Sequence, residues 1–198
     1  MLKPLDGGGG KGISLVKTGE MNADTLLKNL TSEYAVIEER IVQSEQMAAF
    51  HPESLNTIRV TCFACKDGLH IVWPQMRIGR GSSVIDNPNQ GGILVPLDVK
   101  TGQMMSKGYD GSGGVYSSHP DSGLVFSDYT VPDWNEMIEL TKKLMAIVPE
   151  CKYVGWDLAH TNNGWIVVEG NHDGQQSWWQ IFTGAGIKAE FDKYLELL

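Results

Sequence analysis

Three oxygen-bearing residues near the end of the chain, Asp157, Glu169 and Asn171, carry the clearest chemistry in the sequence "GWDLAHTNNGWIVVEGN". Side chains alternate faces along a strand, so Glu169 and Asn171 share one face of a strand over 164–171. An antiparallel strand over 153–160 precedes it. With a three-residue loop and a left-handed Gly164, Thr161 pairs with Trp165 and Asp157 falls opposite Glu169. A two-residue loop would slip the register by one and turn Asp157 away. The spacing permits both. Facing carboxylates repel unless something compensates. An Asp, Glu and Asn oxygen set suits Mg²⁺ or Mn²⁺, whose shell is completed by water and substrate phosphates. A solvated polar face is the plainer alternative. The run Trp165–Val168 is apolar on both faces, implies burial and favours the metal.

At the other end stands "KPLDGGGGKG", residues 3–12. Glycine is costly to order, so such a run is either a linker or a loop whose backbone must approach a ligand closely. Lying between strands, it could wrap backbone N–H groups around phosphates. Lys3 would add a point charge to the same anion.

The elements that position these residues read as follows. A short strand is expected over 12–18, a short helix over 22–32 and a buried strand over 34–41. "NTIRVTCFAC" (56–65) and "LHIVWPQMRIG" (69–79) form a hairpin about Asp67-Gly68. Residues 80–92 and 100–123 are long polar loops. The clearest helix spans 130–149, with Trp134, Met137, Ile138, Thr141, Leu144, Met145 and Val148 in one stripe. Thr130 with Asp133 reads as its capping box and Pro149 as its stop. The chain closes with an aromatic segment and an acidic helix over 188–197. Hairpins interleaved with helices make the fold class α+β.

Composition excludes several classes. The net charge of −8 opposes nucleic-acid binding, which needs a basic face. No apolar run approaches the roughly 20 residues that span a bilayer, and no leader peptide is read. Cys62, Cys65 and Cys151 are an odd count and read as reduced thiols, which points to the cytoplasm. The Cys62-x-x-Cys65 spacing lacks a second ligand pair, so inert core thiols are favoured over zinc.

The order "LKPLDGGGGKGISLV … VIEERIVQSE … NTIRV … VIDNPNQGG … GWDLAHTNNGWIVVEGN" resembles the ATP-grasp superfamily. Among its branches it is most similar to the sugar-transfer-associated ATP-grasp proteins. The resemblance implies mixed or antiparallel sheets in two small lobes enclosing a nucleotide cleft. Residues 1–50 would carry the phosphate flap and adenine hinge, and 51–198 the metal site. Lys3, Gly8, Gly9 and Gly10 would bind phosphates. Glu38, Glu39, Arg40 and Ile41 would form the hinge that reads adenine through backbone groups, and Glu45 would hold the ribose. Asp157, Glu169 and Asn171 would hold Mg²⁺. Arg59, Arg77, Arg80 and Asn87 are the catalytic candidates. An arginine expected two positions before Asn87 is replaced here by Ile85, so Arg77 or Arg80 would take its place.

The activity implied is ATP- and Mg²⁺-dependent activation of a small-molecule carboxylate as an acyl-phosphate. An amine or another nucleophile would then attack it, in polysaccharide or cell-surface sugar metabolism. Kinase-type transfer to a sugar hydroxyl, and a non-catalytic nucleotide-binding remnant, are the rival readings. The superfamily normally carries a further lobe ahead of the flap, with which this chain begins. A missing partner lobe, or self-association, is therefore expected.

Overall fold

A computed structural model of the chain describes residues 1–5, 12–17, 19, 24, 34–172 and 174–198. The chain divides between Val42 and Gln43 into two compact units. Most of the helix expected over 22–32, and all of Gly8, Gly9 and Gly10, lie outside the described residues.

In the smaller unit, β1 (Leu2–Pro4) pairs antiparallel with β2 (Ala35–Ile37), Lys3 opposite Val36. Leu2 also exchanges two backbone hydrogen bonds with Ser14, at 2.8 and 3.0 Å. Two expectations are corrected here. Among the described residues, the strand expected over 12–18 is a single bridge at Ser14. The buried strand over 34–41 is three residues long and leaves Val36 and Ile37 exposed, because among the described residues β2 has only β1 beside it.

The larger unit is built on a seven-stranded antiparallel sheet. Its strands are β3 (Thr57–Cys65), β4 (Gly68–Ile78), β5 (Ile93–Pro96), β6 (Gly108–Asp110), β7 (Val115–Tyr116), β8 (Tyr153–Thr161) and β9 (Gly164–Asn171). Their spatial order is β7-β6-β5-β4-β3-β8-β9. Helices α1 (Glu45–Ala48), α2 (Trp134–Ile147), α3 (Ser177–Thr183) and α4 (Lys188–Leu197) complete it.

Alternation along the central strands separates the two faces. Ile58, Val60 and Cys62 of β3, with Met76 and Ile78 of β4 and Trp156 and Leu158 of β8, point into the main core. There they meet Trp134, Met137 and Met145 of α2. Their neighbours Thr57, Arg59, Gln75, Arg77 and Asp157 point the other way. At one end of that second face Phe63, Trp73 and Tyr194 form a smaller aromatic cluster. Phe63 stacks on Tyr194 of α4 with ring centroids 4.7 Å apart. Apolar burial at roughly 25 cal/mol per Å² makes these two clusters the main source of stability.

The helix expected over 130–149 is present, but its capping box is not. Asp133 caps α2 in the left-handed region (φ +48°) without a side-chain bond to the helix. Its carboxylate instead accepts from His160 Nε2 at 3.0 Å, and its carbonyl accepts from Trp165 Nε1 at 3.1 Å. The Thr130 hydroxyl donates to Gln103. His160 Nδ1 lies 2.8 Å from Ser44 Oγ, the N-cap of α1, so one buried imidazole links α1, β8 and the start of α2.

Two bulges set the register. In β4 the pairing with β3 runs Arg59–Gln75 and then Thr61–Val72, so Trp73 and Pro74 together oppose Val60. Trp73 takes φ +53°, a conformation few non-glycine residues adopt. A bulge is also where a sheet tolerates Pro74, which has no N–H to donate. In β9 the bulge falls at Val168, because Leu158 pairs with Val167 and Asp157 with Glu169.

Candidate active site on the polar face of the sheet

The β8–β9 loop is shorter than the three-residue loop considered from sequence. Thr161 pairs with Gly164, leaving Asn162 and Asn163 as the loop, and Gly164 takes φ +96°. That loop alone would turn Asp157 away from Glu169. The extra residue Val168 restores the register, and Asp157 faces Glu169 after all. The burial expected of Trp165–Val168 is also corrected. β9 is the outer strand of the sheet and is half exposed, having no neighbouring strand on its far side among the described residues.

Gln75, Arg59, Asp157 and Glu169 form one row across β4, β3, β8 and β9. Asp157 is 3 % exposed and Arg59 6 %. The Arg59 fork donates to both carboxylate oxygens of Asp157, with Nη2 at 2.7 Å from Oδ2. Arg77 Nη1 donates to the same oxygen at 2.9 Å. Gly155, next to Arg59, leaves the space its side chain needs, since a Cβ there would lie 3.3 Å from Arg59 Cδ. Glu169, its side chain 58 % exposed, stands 3.9 Å from Arg59 Nη2. Asn171 Nδ2 donates to Glu169 Oε1 at 3.2 Å and to the Gly155 carbonyl at 3.3 Å.

The charges respond to this packing. Burial alone would raise the Asp157 carboxyl, but the Arg59 bonds and the two guanidinium charges outweigh it and hold it below the usual range. Burial, and then the facing Asp157, push Glu169 upward. A third carboxylate joins them. Asp86 Oδ2 accepts from the Thr57 N–H at 3.0 Å and from the Thr57 hydroxyl at 2.5 Å. Burial raises it to about 6, against the pull of Arg77 and Thr57. The Arg77 Nε and Gln75 Oε1 atoms are buried on this face without a partner among the described residues.

The sheet thus brings together Arg59, Arg77, Asp157, Glu169 and Asn171. Arg80 lies elsewhere: its Nη1 donates to the Tyr116 hydroxyl at 2.7 Å and to Asp110 at 3.3 Å, and its guanidinium sits over the Tyr116 ring. Asn87 caps a 3-10 turn (Pro88–Gln90), its side chain accepting from the Asn89 N–H. Glu45 is exposed at the first position of α1. In the smaller unit Lys3 pairs with Glu38. Both backbone groups of Glu38 are engaged by Met1, at 2.7 and 2.9 Å, and Glu39 and Arg40 are exposed beyond it. Asp86, Thr57 and Gln75 are the site residues that sequence reasoning missed. Gln75 and Arg77 alternating with Met76 and Ile78 was the available signal for a polar face on β4; nothing local marked Asp86.

The donor set fits a hard divalent cation. Glu169 and Asn171 offer oxygens at the exposed edge of the row, and a cation there would offset the burial and the facing Asp157 that raise Glu169. Asp157 accepts three N–H bonds and would contribute through its remaining lone pairs.

The profile of the sugar-transfer associated ATP-grasp family matches residues 1–194, and the chain belongs to that family. No curated protein and no solved structure matches the chain. Membership makes ATP the ligand and an ATP-dependent activity linked to sugar transfer the activity class. No helix among the described residues is long and apolar enough to cross a membrane.

Proposed function

We propose that the protein uses ATP and Mg²⁺ to activate a small-molecule carboxylate as an acyl-phosphate, which an amine or another nucleophile then attacks. The observation that supports this reading is the buried Arg59–Asp157–Arg77 group beside the exposed Glu169–Asn171 pair. Glu169, Asn171 and Asp157 would hold the metal, whose contribution is to neutralise charge on phosphate oxygens. Arg77, partly exposed and bonded to Asp157 through Nη1, would turn its guanidinium to an anionic oxygen of substrate. Arg59 holds Asp157 ionised and oriented. Lys3 and the run Gly7–Gly12 supply donors for the phosphates. Glu38 to Ile41 read the base and Glu45 the ribose. Lys3 must exchange Glu38 for phosphate, and an exposed ion pair of this kind resists by no more than about 1 kcal/mol.

The test is calorimetric titration of ATP into the folded chain with and without Mg²⁺, beside Glu169→Ala. Mg²⁺-dependent binding that the variant loses is expected, as is release of inorganic phosphate when the acceptor is added. A folded wild-type chain that binds no ATP overturns the reading. A phosphorylated acceptor, with no free phosphate, replaces it with kinase-type transfer.

A further inference from the structure

The tip of the β3–β4 hairpin carries a second constellation, which the nucleotide chemistry does not use. Cys65 ends β3, Asp67 lies in the two-residue loop and His70 is in β4. Cys65 pairs with Gly68 and Phe63 with His70, so Cys65 and His70 stand on one face, diagonally across the ladder. The Cys65 thiol, a carboxylate oxygen of Asp67 and a ring nitrogen of His70 all lie within 4.8 Å of one another. Among the described residues no other three Cys, His, Asp or Glu side chains bring ligand atoms so close. His70 Nε2 and Asp67 Oδ1 are 2.8 Å apart.

The support is firm. The Lys66 N–H donates to the Leu197 carbonyl at 2.8 Å, and the Cys65 thiol to the Tyr194 carbonyl at 3.6 Å. The His70 ring lies 5.2 Å from that of Tyr194. The hairpin tip is therefore pinned to α4, which limits the freedom a metal would have to remove. The Cys-x-x-Cys spacing is not what forms the group. Cys62 points into the core on the opposite face, fully buried, and Cys65 finds its partners ahead of it in the chain.

We propose that Cys65, Asp67 and His70 form a binding site for a borderline transition-metal ion, with Zn²⁺ the natural occupant. Thiolate and imidazole favour Zn²⁺ over Mg²⁺, whereas the oxygen group at Glu169 has the opposite preference. Three protein ligands leave a fourth position for water or an exogenous ligand. Binding replaces the thiol proton: the Cys65 S–H bond breaks, a sulfur–metal bond forms and one proton is released to solvent. The bound ion would tie the hairpin tip together beside α4 and stabilise the larger unit.

The test uses the full, reduced, tag-free chain titrated with Co²⁺ as spectroscopic stand-in, in excess Mg²⁺ to occupy oxygen sites. One equivalent should bind with a thiolate-to-metal charge-transfer band, and Zn²⁺ should displace it. Cys65→Ser should abolish the band, and His70→Gln should weaken binding by at least about tenfold. Cys151→Ser, which alters the exposed thiol, and Glu169→Ala should leave the band unchanged. Zn²⁺ should raise the unfolding temperature of the wild type more than that of His70→Gln at the same concentration. Circular dichroism checks that each variant is folded. A wild-type chain without the band, or a band that survives Cys65→Ser, overturns the proposal and leaves an Asp67–His70 hydrogen bond beside a free thiol.

Discussion

Arg59 and Asp157 are buried as a pair, so each compensates the charge of the other. Arg59→Ala leaves Asp157 with Arg77 alone, and breaking a buried pair costs about 3–5 kcal/mol. Arg59→Lys should recover little of this, because an ammonium cannot donate to both oxygens in the plane of the fork. Urea unfolding of the two variants measures it. The pH dependence follows from the same groups. Asp86 is raised to about 6 in the folded chain, above its unfolded value of about 3.9. The folded state therefore holds that proton more tightly, and stability falls as pH rises from about 4 to about 6. Asp86→Asn should flatten this slope in thermal unfolding without Mg²⁺. Glu169, also raised, acts in the same direction. Asp157, held low, acts oppositely: its contribution is present above the ordinary carboxylate range and is lost as acid protonates it.

Strands, more than single side chains, decide which residues meet. β9 reaches Asp157 with Glu169 only because Val168 is extra. Beside it, Gly170 is packed against the Trp156 ring, which would lie 2.6 Å from a Cβ at that position. Gly170→Ala must therefore shift either Trp156 or β9. A cost of about 1–3 kcal/mol is expected from such overpacking. Because Glu169 and Asn171 flank the glycine, Mg²⁺-dependent ATP binding should weaken more than in Met137→Ala, which injures only the core under α2. Calorimetry on the two variants, under conditions where both are folded, separates displacement of the strand from general loss of stability. In β4 the Trp73–Pro74 bulge does the corresponding work, keeping Gln75 and Arg77 on the face of Arg59.

At the scale of the molecule, Gln43–Leu198 contains the whole seven-stranded sheet, both apolar clusters and the Arg59–Asp157 group. Expressed alone, it should unfold in one cooperative transition and retain the spectroscopic signature of the native tryptophans. ATP binding should fall in this fragment if the glycine run and Lys3 supply phosphate contacts. Scanning calorimetry and nucleotide titration of the fragment check the two statements separately. A fragment that melts without cooperativity would show that the smaller unit is part of the folding unit.

The sequence by itself determined what depends on periodicity and residue type. Thr57 and Arg59 alternating with Ile58 and Val60, the α2 stripe, and the Asp, Glu and Asn oxygen set were all readable, because a strand or helix imposes its period locally. The α+β class and the family followed from these and from the motifs. Other features belonged to the tertiary structure alone. A bulge is a mismatch in count between two strands, so neither Val168 nor Trp73–Pro74 can be identified from one strand. Asp133 gives its carboxylate to His160 instead of capping α2, because the imidazole between Ser44 and the helix start is supplied by β8. Asp86 is raised by burial at a position where its partners, Thr57 of β3 and Arg77 of β4, come from other elements, and Arg80 is claimed by Asp110 and Tyr116. Local pattern sets which groups are present on each face. Long-range packing sets which of them share a charge.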